Sequence, residues 1–481
     1  MASVASYEGY SGTLHRWKNE HTAPLSHGNN KGTNLEKSIL ISLTSPRMAS
    51  TPDAKQLLSL LSLLPDGITD RDLIASNISI PRILAAKSLL LRTSLAQVDH
   101  GGRLKVLSPI REYISTFYPA HEDLIRPLRN YWQDLLKLWY SQKGNVSSDI
   151  FPQLTNNVGN IESLLLHGLT KEQDVESSTL ISIVDLNFFS QSMLKGVISL
   201  ATLLPAHIKS SGDKKVQFRY ILSCLGGSGS PMSSSEVEEC IPQMTQYLES
   251  ETRLSDKVDF FVALALQFSR TKSAQRAVAY TDLALALVSE AASTQGYSVG
   301  RLFELRSRIE ADAGNYQSSI DYAQRGQQAS RHSGEPMGEL SCLLQEATAC
   351  AHLGNFSLAL QLCDSAYELI VSSGMQNSVR EILLLDLEAS IAFSKREYSK
   401  ARTLYGRMKT KTKRSLRFQT FASLQIMEIN MLLDDEDSDI DQMLKDAWET
   451  SVQLEWNEDL TETQAKWREY FAVSKLWVTS L

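Results

Sequence analysis

Gly314-Asn315-Tyr316-Gln317-Ser318-Ser319 and, 40 residues on, Gly354-Asn355-Phe356-Ser357-Leu358-Ala359 repeat one pattern: a permissive turn, an aromatic anchor, and a small residue three places later. Extended both ways, the anchor recurs at Ala274, Tyr316, Phe356, Tyr398 and Ile440, at separations of 42, 40, 42 and 42 residues. Three residues after each anchor stand Ala277, Ser319, Ala359, Ala401 and Met443. Nine before stand Ala265, Ser307, Ala347, Ala389 and Met431, and thirteen before stand Phe261, Phe303, Leu343, Leu385 and Met427. A small residue on each of two helices lets their axes approach closely, while a large apolar residue fills the groove beside them. The register therefore predicts a helical hairpin repeated about five times, with Gly-Asn supplying the turn between its two helices.

Toward the N-terminus the helical texture continues. Residues 121–143 carry Leu124, Leu128, Trp132, Leu135 and Leu138 at helical spacing, and residues 151–168 carry Leu154, Val158, Ile161 and Leu165. The Gly/Ser-rich stretch from Gly226 to Ser235 predicts a loop. Before residue 121 the pattern changes. A helix around Leu35, Ile39 and Leu43 precedes a thickly apolar one over Leu57 to Leu64, which Pro65-Asp66-Gly67 stops. Thr69-Asp70-Arg71-Asp72 caps a short helix, and a third runs from about Pro81 to Leu91. Leu95 and Val98, then Asp99-His100-Gly101-Gly102, then Leu104 and Val106 predict a β-hairpin, closed by a helix over Pro109 to Phe117. That is the element order of a winged-helix domain. The expected organisation is an irregular tail (1–34), a winged-helix domain (35–120), a helical connector (121–215) and a superhelical repeat array (216–481) ending in a capping helix from Thr461 to Trp477. The fold class is mainly α.

Composition excludes several classes of protein. With 481 residues, 42% hydrophobic and 21% charged, 24 Gly and 13 Pro, the chain is neither disordered nor collagenous. Cys224, Cys240, Cys342, Cys350 and Cys363 are odd in number and form no C-x-x-C pair, which argues against a disulfide framework or a zinc site and fits a reduced, cytoplasmic compartment. The longest uninterrupted apolar run, Phe260 to Leu266, is seven residues, against the ~18 a membrane span needs. Charged residues near the N-terminus stand where a signal peptide needs an apolar core. A net charge of −7 gives no overall pull toward nucleic acid or an anionic membrane.

The hairpin pattern resembles the tetratricopeptide repeat, whose unit is usually about 34 residues. The extra length here implies longer helices or loops. The segments Leu57 to Gly67, Leu89 to Leu95 and Arg103 to Ile114 are similar to the winged-helix portion of NB-ARC signalling ATPases, most closely the fungal NOD-like receptors that carry tetratricopeptide repeats. Leu14-His15-Arg16-Trp17-Lys18 with Thr33 to Ile39 resembles the stretch joining their nucleotide-binding module to the winged helix. Members of that family hold ATP or ADP with a Walker A loop, G-x-x-x-x-G-K-[ST]. No such string occurs in this chain, and the family's Met-His-Asp sensor would fall on Val106-Leu107-Ser108, without its His and Asp. The resemblance implies the C-terminal portion of a STAND-type receptor with no cofactor of its own, which would contact a separate nucleotide-binding module. A complete NTPase whose nucleotide-binding module is missing from this sequence is one alternative reading.

Catalytic signatures are missing too. The nine histidines form no H-E-x-x-H, and no serine sits in a nucleophile elbow, so no catalytic, cofactor or metal residues are expected and the chain reads as a non-enzyme. A second alternative is a nucleic-acid-associated regulator using the winged helix or the ten Lys and Arg between Lys395 and Arg417. The third helix, however, offers only Arg82 and Lys87. The acidic run Asp434 to Asp439 follows the basic one and predicts solvated turns that attract each other. The leading expectation is a non-catalytic protein–protein interaction scaffold with a protein or peptide partner. In the tetratricopeptide family the concave face is lined by first-helix positions, and the resemblance maps these to Arg301, Glu304, Arg308 and Asp312, then Thr348 and His352, then Asp386 and Ser390.

Overall fold

The computed structural model describes residues 35–141, 150–171, 175–193, 197–226, 232–250, 254–271, 273–290, 299–412 and 416–433. The tail 1–34, the anchor Ile440, the acidic run 434–439 and the expected capping helix all fall outside these residues. What is described is almost entirely α-helical, with a single two-stranded sheet. Two compact units divide it: the first takes most of residues 35–213, and the second begins at Lys214 and includes short pieces around 139–151 and 187–197.

In the first unit, α1 (Leu35–Thr44), α2 (Pro46–Ala49), α3 (Pro52–Leu61), α4 (Asp70–Ala75) and α5 (Ile83–Arg92) precede strands β1 (Gln97–Val98) and β2 (Leu104–Lys105), then α6 (Ser108–Phe117). Leu57, Leu58, Leu60, Leu61 and Leu64 are buried, so the thickly apolar helix is a core helix. The strands pair antiparallel, Gln97 with Lys105 and Val98 with Leu104, and Ile68 extends the ladder from the other side of Leu104. The Asp99 carboxylate holds the turn. It accepts the amides of Gly101 and Arg103, both at 2.9 Å, and pairs with Lys105 at 2.8 Å. The Lys105 contact, followed by the Arg103 amide, brings the Asp99 carboxyl down to about 2.

The single helix expected over 151–168 is two: α8 (Ile150–Thr155) and α9 (Val158–Lys171), after α7 (Glu122–Ser141). The cause is polar. Asn157 donates to the Gln153 carbonyl at 2.7 Å, removing an acceptor from the helix ladder. Asn160 and Asp66 exchange hydrogen bonds of 2.9 and 3.0 Å, and Arg103 donates to the Asp66 and Gly67 carbonyls at 2.8 and 2.7 Å.

Helices α10 (Ser177–Ser192) and α11 (Leu204–Ser211) flank a short 3-10 turn (Ser199–Leu203), and α12 (Lys214–Gly226) and α13 (Ser234–Ser250) lead into the repeats. These are α14 (Leu254–Arg270) with α15 (Ala274–Glu290), α16 (Val299–Asp312) with α17 (Tyr316–Ser333), α18 (Pro336–His352) with α19 (Phe356–Ser372), α20 (Val379–Ser394) with α21 (Tyr398–Lys411), and then α22 (Leu416–Leu432). Each described anchor is the first residue of a hairpin's second helix. The eight small residues of these four hairpins, Ala265, Ser307, Ala347 and Ala389 with Ala277, Ser319, Ala359 and Ala401, are all 0% exposed, as helix-to-helix contact at close range requires. Ser307 and Ser319 meet directly, hydroxyl to hydroxyl at 2.9 Å.

The turns before Tyr316 and Phe356 close in the left-handed region, with φ of 81° at Gly314 and 78° at Gly354. In the fourth hairpin that position is Arg396, with φ of 61°, a conformation that costs a side-chain-bearing residue about 1–2 kcal/mol. Arg396→Gly is expected to stabilise the second unit by about 0.5–1 kcal/mol after glycine's entropy is subtracted. Urea unfolding followed by circular dichroism reads it as a raised midpoint; an unchanged or lowered midpoint refutes it.

Candidate functional site

Three first helices, α16, α18 and α20, converge through charge. Arg301, Glu304 and Arg308 lie on successive turns of α16, and Glu304 pairs with Arg308 at 3.7 Å. Arg380, in the first turn of α20, points its guanidinium at α18, where Nε and Nη2 both donate to the Ser341 hydroxyl, at 3.3 and 3.2 Å. Burial, then repulsion from Arg301 and Arg308 against the pull of Glu304, brings Arg380 down to about 10. It still carries its charge at neutral pH. Arg380 thus sits in a partly desolvated site under the influence of Arg301, Glu304 and Arg308, where its attraction to an anion is strengthened.

A second cluster joins α20 to α21. Ser390 and Tyr405 meet hydroxyl to hydroxyl at 3.2 Å, and the Tyr405 phenol also bonds Asp386. Oδ1 of Asp386 is sealed from solvent with no hydrogen-bond partner, and burial raises the group to about 6.

The remaining expected residues lie elsewhere. Asp312 accepts the Ser269 hydroxyl at 3.0 Å, tying α16 to α14. Thr348 donates to its own helix at Leu344, 2.7 Å away. His352 stacks flat on the anchor Tyr316, centroids 4.7 Å apart and planes within 6°. Thus Arg301, Glu304 and Arg308 form one group and Asp386 and Ser390 another, while Asp312, Thr348 and His352 make separate contacts. Arg380 and Ser341 escaped the mapped positions. The sequence signal for Arg380 is that it is the single basic residue of α20.

Several basic residues elsewhere are paired. On α5, Lys87 pairs with Asp70 at 2.6 Å and Arg82 with Asp53 at 3.3 Å. In the basic run, Lys395 and Lys400 pair with Glu397 and Lys411 with Glu381. Among the described residues no group of three His, Cys, Asp or Glu is placed to hold a metal ion, and no helix is long and apolar enough to cross a membrane.

No protein-family model matches the chain, and no curated protein matches it. Among solved structures it is similar to a Signal Transduction ATPase with Numerous Domains (STAND) protein with a tetratricopeptide repeat sensor from Pyrococcus horikoshii, at 14% identity and a TM-score of 0.43, covering 95% of this chain and 71% of that one. It is also similar to the APC/C hetero-tetramer Cut9–Hcn1, at 12% identity and a TM-score of 0.40, covering 95% and 89%. What makes this chain a tetratricopeptide-like helical repeat is its own register of buried small residues.

Proposed function

We propose that the hairpins are a non-catalytic docking scaffold whose first-helix face takes an extended acidic segment of a protein partner. In this reading the chain is the cytoplasmic sensor half of a STAND-type receptor of the fungal NOD-like kind. The first unit, with a winged helix over 35–120 and a connector over 121–215, is the hinge that a separate nucleotide-binding module grips. The observation that carries the docking reading is Arg380. It is a half-buried guanidinium whose only hydrogen-bond acceptor among the described residues is one serine hydroxyl, close to two further arginines. A guanidinium drawn partly out of water is ordinarily matched by a carboxylate, and here a ligand would bring it.

Selection from a random-peptide display library on the full chain, followed by fluorescence anisotropy of the enriched peptides, tests this reading. Enriched peptides are expected to carry Asp and Glu, and Arg380→Leu to weaken their binding about tenfold or more, as loss of one charge-assisted pair implies. Enrichment of basic or uncharged peptides, or binding indifferent to Arg380→Leu, overturns it.

A further inference from the structure

The position ten residues before the anchor carries a charge in three consecutive hairpins, and the three are treated differently. Arg306 reaches Asp282 on α15 at 3.0 Å and Glu310 at 3.1 Å. Glu388 feels the attraction of Arg407 and Lys400 on α21 as well as the repulsion of Asp364. Glu346, only 6% exposed, has neutral partners alone: Oε1 accepts from the Gln324 amide at 2.7 Å and Oε2 from the Gln327 amide at 2.5 Å. No cation among the described residues lies within ion-pair distance of it. Arg331, which lines the same cavity, is held by Glu339 at 2.5 Å and donates to the Gln327 side-chain amide oxygen at 3.4 Å.

Glu346 also lines a cavity. About 370 Å3 opens between α17, α18 and α19, lined with Glu346 by Gln324, Gln327, Gln328, Arg331, His332 and Leu362. A carboxylate oxygen that accepts one amide keeps a second lone pair, and a buried charge without a counter-charge is costly to maintain. With the Arg331 charge taken up by Glu339, the cavity offers two fixed acceptor oxygens, further amide groups and one apolar wall, a set that matches a planar cation on an alkyl stem.

We propose that this cavity binds a guanidinium group carried on an alkyl chain. Two of its N–H groups bond the Glu346 oxygens side by side, and the stem lies against Leu362. The site is separate from the Arg380 cluster, and a chain whose first-helix face binds nothing would still bind here. Two sources present the same chemistry: a free alkylguanidine, or an arginine side chain of a partner protein.

Isothermal titration of the full chain with agmatine and with Nα-acetyl-arginine amide tests the proposal and separates the sources. Binding of at least one is expected, the first pointing to a free metabolite and the second to a peptide side chain. Glu346→Gln, which keeps the shape and removes the charge, is expected to weaken it about tenfold or more, whereas Glu388→Gln, at the equivalent position one hairpin on, leaves it unchanged. If Glu346→Gln fails to fold by circular dichroism, Leu362→Trp decides the matter by filling the mouth and abolishing binding. No heat with either compound at millimolar concentration, or binding retained in Glu346→Gln or Leu362→Trp, overturns the proposal.

Discussion

Asp386→Asn is expected to stabilise the second unit by about 3 kcal/mol near pH 8 and by only about 1 kcal/mol near pH 4.5. An unfolded aspartate titrates at its ordinary value of 3.8, and burial raises this one to about 6 in the folded chain. Between those values the folded protein keeps a proton that the unfolded chain has released. Stability therefore falls as pH rises through that window and stays lower above it. The neutral amide carries no such penalty, and its geometry still accepts the Tyr405 phenol. Urea unfolding of both proteins at the two pH values measures the difference. An equal effect at both would mean that Asp386 is not held in a desolvated pocket.

Gly326→Val is expected to destabilise the same unit by about 3 kcal/mol. A Cβ on Gly326 would stand 2.5 Å from Cys342 Sγ and 3.1 Å from the Gly300 carbonyl oxygen. Cys342 is itself fully buried and also contacts the Gly300 carbonyl at 3.5 Å. Helices α16, α17 and α18 meet at this point, and none has room to withdraw. Gly406→Ala in α21 is the matched control, since nothing lies within 4 Å of its Cβ. That change is expected to stabilise by about 0.5–1 kcal/mol through helix propensity. Thermal melts of the two variants should move in opposite directions, and a melt of Gly326→Val at or above that of the unaltered chain would refute the close packing.

The repeat architecture was legible because its physics is local and periodic. The seam residues must be small and the turn before the anchor permissive, and both demands recur along the chain at a spacing that can be counted. Even the exception, Arg396 in the left-handed turn, appears as a break in the Gly-Asn pattern. The break at Asn157 was not legible. It depends on Asp66, Gly67 and Arg103, residues distant in sequence, and no spacing within 151–168 announces them. The candidate sites were partly readable. Counting from the anchors put Arg301, Glu304 and Arg308 on one helix, but the cluster is completed by Arg380 and Ser341, which meet only when three hairpins stack. Glu346 stood in the sequence as a charge where a hairpin interior favours an apolar residue, as Leu264 does in the first hairpin. Its lack of a counter-charge could be known only from the neighbours that folding brings.

The unlike charges at Arg306, Glu346 and Glu388 bear also on how such a chain avoids assembling wrongly. Hairpins built to one register are near-copies, so a second helix could pair with the first helix of the wrong neighbour, or with the equivalent helix of another molecule, and bury nearly the same apolar surface. A charge of different sign or setting at this position in three of the hairpins makes them distinguishable. A mispaired α15 would set the Asp282 carboxylate against Glu346 or Glu388 in place of Arg306, turning an ion pair into a repulsion. Three residues thereby act as an address, fixing the order in which near-identical pieces join.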